Sequence, residues 1–151
     1  MRTIDDLIGS APVFEGLERP HLEVIAGCGR NEHVDSGAFL LREGEPSERF
    51  FLIRRGTVAL EVRAPGRILT VETLQAGDPV VWSWLTPPYR SRLDARALEA
   101  CELIGFDGVC LRGKIEADHD LGYQLMRRFA ENLVDRLQAT RLQLLDVYGH
   151  A

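Results

Sequence analysis

A chain of 151 residues, 45% hydrophobic and 27% charged, has the length and composition of one globular domain with a full core and is too short for two ordinary ones. Its formal net charge of −5 argues against broad, sequence-independent binding to nucleic acid, which needs a basic surface to displace counterions from phosphates. No run approaches the roughly 18 consecutive apolar residues of a membrane span, and Asp5 and Asp6 after Arg2 are not a signal peptide, so the expectation is a soluble, cytoplasmic protein without a membrane partner.

The first expected element is a short amphipathic helix over 3–10, with Ile4, Leu7 and Ile8 on one face and Pro12 ending it. A second helix over 18–26 sets Leu22, Ile25 and Ala26, with Leu17 before it, against an apolar surface and stops at Gly27 and Gly29. His21 falls on its polar, solvent-facing side. Residues 1–30 therefore read as an N-terminal helical segment.

From Arg30 the period changes from helical to alternating. Short strands are expected at 32–34, 38–41, 50–53, 57–62, 68–74, 93–97 and 101–106. Turns rich in Gly, Pro, Asp and Ser separate them, among them Asp35-Ser36-Gly37, Gly44-Glu45-Pro46-Ser47 and Ala64-Pro65-Gly66. Many short strands at this spacing signal an antiparallel sandwich or barrel. In 57–62, Val58, Leu60 and Val62 share a buried face while Thr57, Ala59 and Glu61 share a wet one. Glu43, Glu45 and Glu48, and the pair Arg54 and Arg55, read as solvated turns.

After Phe106 the period is helical again. A short helix is expected over 107–116, then a long one capped by Asp118 or Asp120 and running to about Tyr148. Leu121, Leu125, Met126 and Phe129 form a broad stripe near its start, while Leu133, Leu137, Thr140, Leu144 and Val147 form a narrow seam of coiled-coil type. A helix of about 30 residues is roughly 45 Å long, more than a domain this size covers. Residues 107–151 thus read as C-terminal helices, with a dimerisation helix at about 119–148 that pairs its distal half with a second copy; the other arrangement the seam allows is a helix folded back on its own barrel.

Residues 77–97 hold both tryptophans, three of the seven prolines and a close set of arginines. Leu93, Ala95 and Ala97 share the inward parity of the strand that ends this segment, so Arg90, Arg92, Asp94 and Arg96 face the other way unless a bulge near Ser91 turns Arg90 or Arg92 inward.

The run from Val34 to Val58, with Gly37, Gly44 and Gly56 spaced between hydrophobic strands, resembles the front half of the cyclic-nucleotide-binding domain found in catabolite-activator-type regulators, kinase regulatory subunits and cyclic-nucleotide-gated channels. Leu74-Gln75-Ala76-Gly77-Asp78 resembles the opening of that family's phosphate-binding cassette, and the long terminal helix resembles its C-helix. The resemblance covers nearly the whole chain and implies a mainly β fold: an eight-stranded antiparallel jelly-roll barrel over 31–106 with helices before and after it. In the family the cassette carries a Gly-Glu pair on a short helix, then an arginine. The helix N–H groups and the arginine hold the cyclic phosphate, and the glutamate accepts from the ribose 2′-hydroxyl. Counted without gaps, Val81 and Trp82 stand at the Gly-Glu pair and Ser91, flanked by Arg90 and Arg92, stands at the arginine.

The candidate ligand-binding residues are Gly77, Asp78, Val81, Trp82, Ser83, Trp84, Arg90, Ser91 and Arg92. An indole at position 82 accepts no hydrogen bond and fills a sugar pocket or stacks on a flat ligand; plain packing under the loop is the other reading of both tryptophans. Pro87-Pro88 stiffens the exit and cuts short a phosphate-cradling helix.

The reading is a non-enzymatic regulatory sensor domain, stand-alone without a DNA-binding module, since the sequence stops at Ala151 where the long helix stops. Its cassette is altered or lost for cyclic nucleotides, and it acts on a protein partner or senses another small ligand. The alternative is a genuine receptor for cyclic AMP or cyclic GMP in which Arg90 or Arg92 takes the phosphate. No cofactor or metal is expected: His21, His33, His119 and His150 are scattered, and no G-x-S-x-G or phosphate-binding loop motif is present. Cys28, Cys101 and Cys110 have no zinc or CxxC spacing and read as buried, inert thiols.

Overall fold

The run Phe50-Phe51-Leu52-Ile53 is apolar without alternation because both faces of its strand are covered. In the computed structural model, which describes residues 3–80 and 82–149, this strand is central to a layered fold. Met1, Arg2, Val81, His150 and Ala151 lie outside the described residues.

The order of elements is α1 (Ile4–Gly9), a 3-10 turn (Pro12–Phe14), α2 (Arg19–Ala26), β1 (Gly29–Val34), β2 (Phe39–Leu41), β3 (Arg49–Arg55), β4 (Val58–Ala64), β5 (Arg67–Leu74), β6 (Pro79–Val80), β7 (Asp94–Ala97), β8 (Cys101–Asp107), α3 (Gly108–Ala117) and α4 (His119–Gly149). The strands form two four-stranded antiparallel sheets, β1-β8-β3-β6 and β2-β7-β4-β5, the jelly roll expected from the sequence. The strand without a counterpart in the sequence reading is β6: it has two residues, begins with a proline and sits at a sheet edge, where a missing N–H costs nothing.

Strand parity divides the core. Phe51 and Ile53 of β3 and Cys101 and Leu103 of β8 point between the sheets, to Val58, Leu60, Ala95 and Ala97. Phe50 and Leu52 and then Ile104 and Phe106 point to the other side, where α1, the 3-10 turn, α2, α3 and the first third of α4 cover them. There Phe14 and Phe129 approach the Phe50 ring at 6.4 Å and 6.0 Å between centroids, each in an edge-on arrangement. The three glycines of the motif, Gly37, Gly44 and Gly56, take φ of 88°, 85° and 103°, the left-handed region that other residues adopt only at a cost.

Three expectations need correction. The face of β4 expected to be wet is buried: Ala59 is wholly covered and Glu61 is 4% exposed, because Arg96 of β7 donates to both Glu61 carboxylate oxygens at 2.8 Å and 2.9 Å and lies over it. On the same sheet Asp94, also buried, accepts from the Glu43 N–H at 2.7 Å and from Arg63 at 3.2 Å. Parity was right for Asp94 and Arg96, which share the face of Ala59, but pairing rather than water satisfies their charges. Second, His21 is half-buried, with Nε2 3.4 Å from the Asp120 carboxylate, since α4 begins beside α2. Third, Cys28 and Cys110 are joined in a disulfide across 82 residues, and Cys101 alone is a buried free thiol. Two cysteines far apart in sequence give no spacing signal; the fold brings the start of β1 onto α3.

The long helix has 31 residues, and its buried positions, Leu121, Gly122, Leu125 and Phe129, all fall in the first third. Beyond Thr140 every described side chain is exposed, Leu144 at 54% and Val147 at 69%. Among the described residues no helix is long and apolar enough to cross a membrane.

Candidate functional site

The segment 77–97 splits into parts with different surroundings. At its start Gly77, with φ of 93°, and Asp78 close a turn: the Asp78 carboxylate accepts from the Gln75 N–H at 2.9 Å, and the Gly77 N–H donates to the Ile53 carbonyl at 2.8 Å. This turn fastens the end of β5 to β3. Residues 82–88 then form turns and bends and no helix. The Leu85 N–H donates to the Trp82 carbonyl at 3.0 Å, and the Pro87–Pro88 peptide bond is cis.

The two tryptophans separate here. Trp84 is wholly buried in the core on the helical side, 5.3 Å from the Phe50 ring centroid. Trp82 is half-buried, stacked on Phe50 at 5.5 Å and tilted against Phe129 of α4 at 4.4 Å. The Arg112 guanidinium of α3 lies 4.0 Å from the Tyr89 ring centroid and donates to the Trp84 carbonyl, tying the loop down from outside.

Residues 89–91 run antiparallel to the motif loop 44–47: the Gly44 N–H donates to the Ser91 carbonyl at 2.8 Å, the Ser91 N–H to the Glu45 carbonyl at 3.0 Å and the Ser47 N–H to the Tyr89 carbonyl at 2.7 Å. Arg90 donates to the Gly44 carbonyl at 2.9 Å and is thereby held to the loop. Ser91 is buried, its hydroxyl donating to the Leu93 carbonyl at 2.6 Å.

Between this loop and α4 lies a cavity of about 450 Å³, within the size range of small-molecule sites. Its lining comes from the loop and its exit (Trp82, Ser83, Thr86, Ser91, Arg92 and Leu93), from β5 (Glu72) and from α4 (Leu133, Arg136, Leu137 and Thr140). Arg136 and Glu72 form a two-point ion pair, with Nη2 2.7 Å from Oε2 and Nε 3.1 Å from Oε1. The remaining nitrogen, Arg136 Nη1, is buried and has no hydrogen-bond partner among the described residues, and the same holds for Trp82 Nε1. The Ser83 hydroxyl donates to Ser47 Oγ at 2.8 Å and the Thr140 hydroxyl to the Arg136 carbonyl at 2.9 Å, so these two have committed their protons.

The structure thus brings Trp82, Ser83, Ser91 and Arg92 to one cavity with Leu133, Leu137 and Thr140 of the seam. Gly77, Asp78, Trp84 and Arg90 do not line it, nor do Leu144 and Val147. Val81 is outside the described residues. Glu72, Thr86, Leu93 and Arg136 are lining residues that the sequence reading did not select. For Arg136 a signal existed: it lies on the same helical face as Leu133, Leu137 and Thr140, and a charge on an apolar face asks for a partner. Among the described residues no group of three or more His, Cys, Asp and Glu is placed to hold a metal ion.

The family model of the cyclic nucleotide-binding domain matches residues 31–118. Among solved structures, the chain is similar to a candidate cyclic nucleotide-binding protein from Geobacter metallireducens GS-15, with 25% identity, a TM-score of 0.80 and coverage of 91% of this chain and 99% of that one. It shares its fold with a cyclic nucleotide-binding domain from Methylobacillus flagellatus KT, at 17% identity, TM-score 0.81 and coverage of 95% and 81%. The sensor domain of the transcriptional regulator DNR from Pseudomonas aeruginosa also shares it, at 21% identity, TM-score 0.67 and coverage of 85% and 92%. No curated protein matches the chain in sequence.

Proposed function

From the premise that this chain belongs to the cyclic nucleotide-binding domain family, we propose that it is a non-enzymatic regulatory sensor domain whose ligand site is the cavity between the 82–93 loop and α4, with a cassette altered away from cyclic nucleotides. The observation that carries this is the wall built by Trp82. A cyclic phosphate asks for convergent N–H donors and a guanidinium, and a ribose hydroxyl asks for an acceptor. Where the resemblance puts the acceptor stands an indole packed on Phe50 and Phe129, where it puts a helix N-terminus there are turns, and Arg90 is spent on Gly44.

Calorimetric titration tests the reading. Cyclic AMP and cyclic GMP are expected to give no saturable heat below millimolar concentration, and saturation at micromolar nucleotide would refute it. A second reading, a genuine cyclic-nucleotide receptor, has one observation in its favour: Arg92 lines the cavity beside Ser91, so a phosphate there would find one guanidinium from the loop. The same titration separates the two.

The protein acts as a homodimer through α4 in this proposal. Its support is the exposed apolar row on the distal helix, Leu137 at 50%, Leu144 at 54% and Val147 at 69% exposed, continuous with residues that border the cavity. Light scattering is expected to give the mass of two chains, and Leu144→Asp to give one; a monomeric mass for the wild type at high concentration contradicts it. The proposed location is the cytoplasm, and the Cys28–Cys110 disulfide is the observation that weighs against it, because such bonds persist in oxidising compartments. Thiol titration of the freshly isolated protein decides: Cys28 and Cys110 titrating as two thiols supports the cytoplasm, and the intact disulfide contradicts it.

A further inference from the structure

Resting on the reading of this cavity as the ligand site, we propose that the ligand is a small organic anion with a flat apolar body, and that its anionic group is held by Arg136 of the long helix rather than by the loop. The charge count of the lining is two guanidiniums, Arg92 and Arg136, against one carboxylate, Glu72. Glu72 occupies only Nε and Nη2 of Arg136, which leaves Nη1 buried without an acceptor. Buried polar atoms in native proteins nearly always have a partner, and a guanidinium N–H can only donate, so the missing partner is an acceptor. Trp82, another lining residue, has a donor-only Nε1 that is also buried without a partner among the described residues and makes the same demand. His21 Nδ1, Arg42 Nε, Trp84 Nε1 and Asn132 Oδ1 are also buried without a partner among the described residues, but none of these four residues lines the cavity; Arg136 and Trp82 do.

The rest of the lining defines the body of the ligand. Trp82, Leu93, Leu133 and Leu137 supply aromatic and branched apolar surface, and the Ser83 and Thr140 hydroxyls have already given their protons to Ser47 and Arg136. Such a lining rewards a planar ring with one acceptor-rich, negatively charged end and offers little to a sugar with several hydroxyls. Arg92 differs from Arg136 in being exposed on the loop, where water competes for its charge.

The test uses a matched pair of probes, 2-naphthoate and the neutral 2-naphthamide, titrated into the full chain while the indole N–H resonance of Trp82, assigned by its loss in Trp82→Phe, is followed by nitrogen-15 NMR. Naphthoate is expected to bind about tenfold more tightly than naphthamide, the ratio set by one charge-assisted hydrogen bond. Arg136→Met is expected to erase that preference and Arg92→Gln to keep most of it. Glu72→Gln removes the competing carboxylate and is expected to strengthen naphthoate relative to naphthamide. A role of Arg136 that is only structural, as partner of Glu72, gives the opposite sign, because both variants would then weaken naphthoate alike. Equal affinity for the two probes, a preference that survives Arg136→Met, or one lost in Arg92→Gln overturns the assignment to Arg136 while leaving the cavity as the site. If neither probe shifts the Trp82 resonance at millimolar concentration, the reading of the cavity falls, and this proposal with it. Should Arg136→Met fail to match the wild-type far-ultraviolet spectrum, the sign of the Glu72→Gln effect decides alone.

Discussion

Two parts of this molecule bury charge, and they treat it differently. On the sheet β2-β7-β4-β5, the carboxylates of Glu61 and Asp94 are almost wholly covered, and each meets hydrogen-bond donors: Arg96 for Glu61, Arg63 and the Glu43 N–H for Asp94. Between the loop and α4, the ion pair of Arg136 with Glu72 leaves a buried guanidinium nitrogen with nothing to donate to. The carboxylates of that sheet are completely paired, although Arg42 Nε, 3.8 Å from Asp94, is also buried without a hydrogen-bond partner among the described residues, and an orphaned buried group carries its full desolvation cost. What sets Arg136 apart in the proposal is that its leftover donor belongs to a residue lining the cavity, which Arg42 does not line.

The largest break in this comparison is expected from Phe129→Ala. Phe129 packs on Phe14, Phe50, Trp82 and Trp84, so its loss removes the floor on which the Trp82 wall rests. A stability loss of about 3–5 kcal/mol is expected from a buried Phe→Ala substitution. Denaturant unfolding measures it, and a loss below about 1 kcal/mol would show that α4 is not packed as described.

Next is the structural charge. The Arg96 hydrogen bonds hold the Glu61 carboxyl below the usual carboxylate range, although burial opposes them. For Asp94 burial alone would push the value up, but the Glu43 N–H and Arg63 outweigh it, so this carboxyl too is lowered. Groups lowered on folding contribute stability that is present above the ordinary carboxylate pKa of about 4 and is lost as the pH falls through the lowered value. Glu61→Gln is therefore expected to cost about 2 kcal/mol at neutral pH and to flatten the acid limb of the stability curve. An acid limb as steep in Glu61→Gln and Asp94→Asn as in the wild type would count against the pairing. The smallest effect belongs to the other side: Glu72→Gln, with its partner only partly buried, is expected to change stability by less than about 1 kcal/mol.

The same contrast explains how far the sequence could be read. Hydrophobic alternation and turn glycines mark an antiparallel sandwich or barrel, because strand period and left-handed turns leave direct marks on residue type, and the jelly roll is what the family resemblance of the run holding Gly37, Gly44 and Gly56 implies. The broad stripe Leu121, Leu125, Phe129 likewise announces the packed third of α4. What could not be read is side-chain pairing across the fold: that Arg96 would cover Glu61, that Arg136 would reach Glu72 across 64 residues, that Cys28 would meet Cys110. Of the nine candidate residues within 77–97, Trp82, Ser83, Ser91 and Arg92 line the cavity while Gly77, Asp78, Trp84 and Arg90 do not, and the sequence cannot tell Trp82 from Trp84. Two residues apart, one faces the cavity and the other is sealed in the core. The seam on α4 is legible as an apolar row, but that Leu133, Arg136, Leu137 and Thr140 of this face line a cavity is not.

In the proposed function Trp82 and the long helix, not a phosphate cradle, define what this domain binds. The indole N–H resonance of Trp82 during titration with cyclic AMP tests it most directly, because the family resemblance puts the acceptor for the ribose at that position. The resonance is expected to stay in place up to millimolar cyclic AMP; a saturable shift at micromolar cyclic AMP would contradict the proposal.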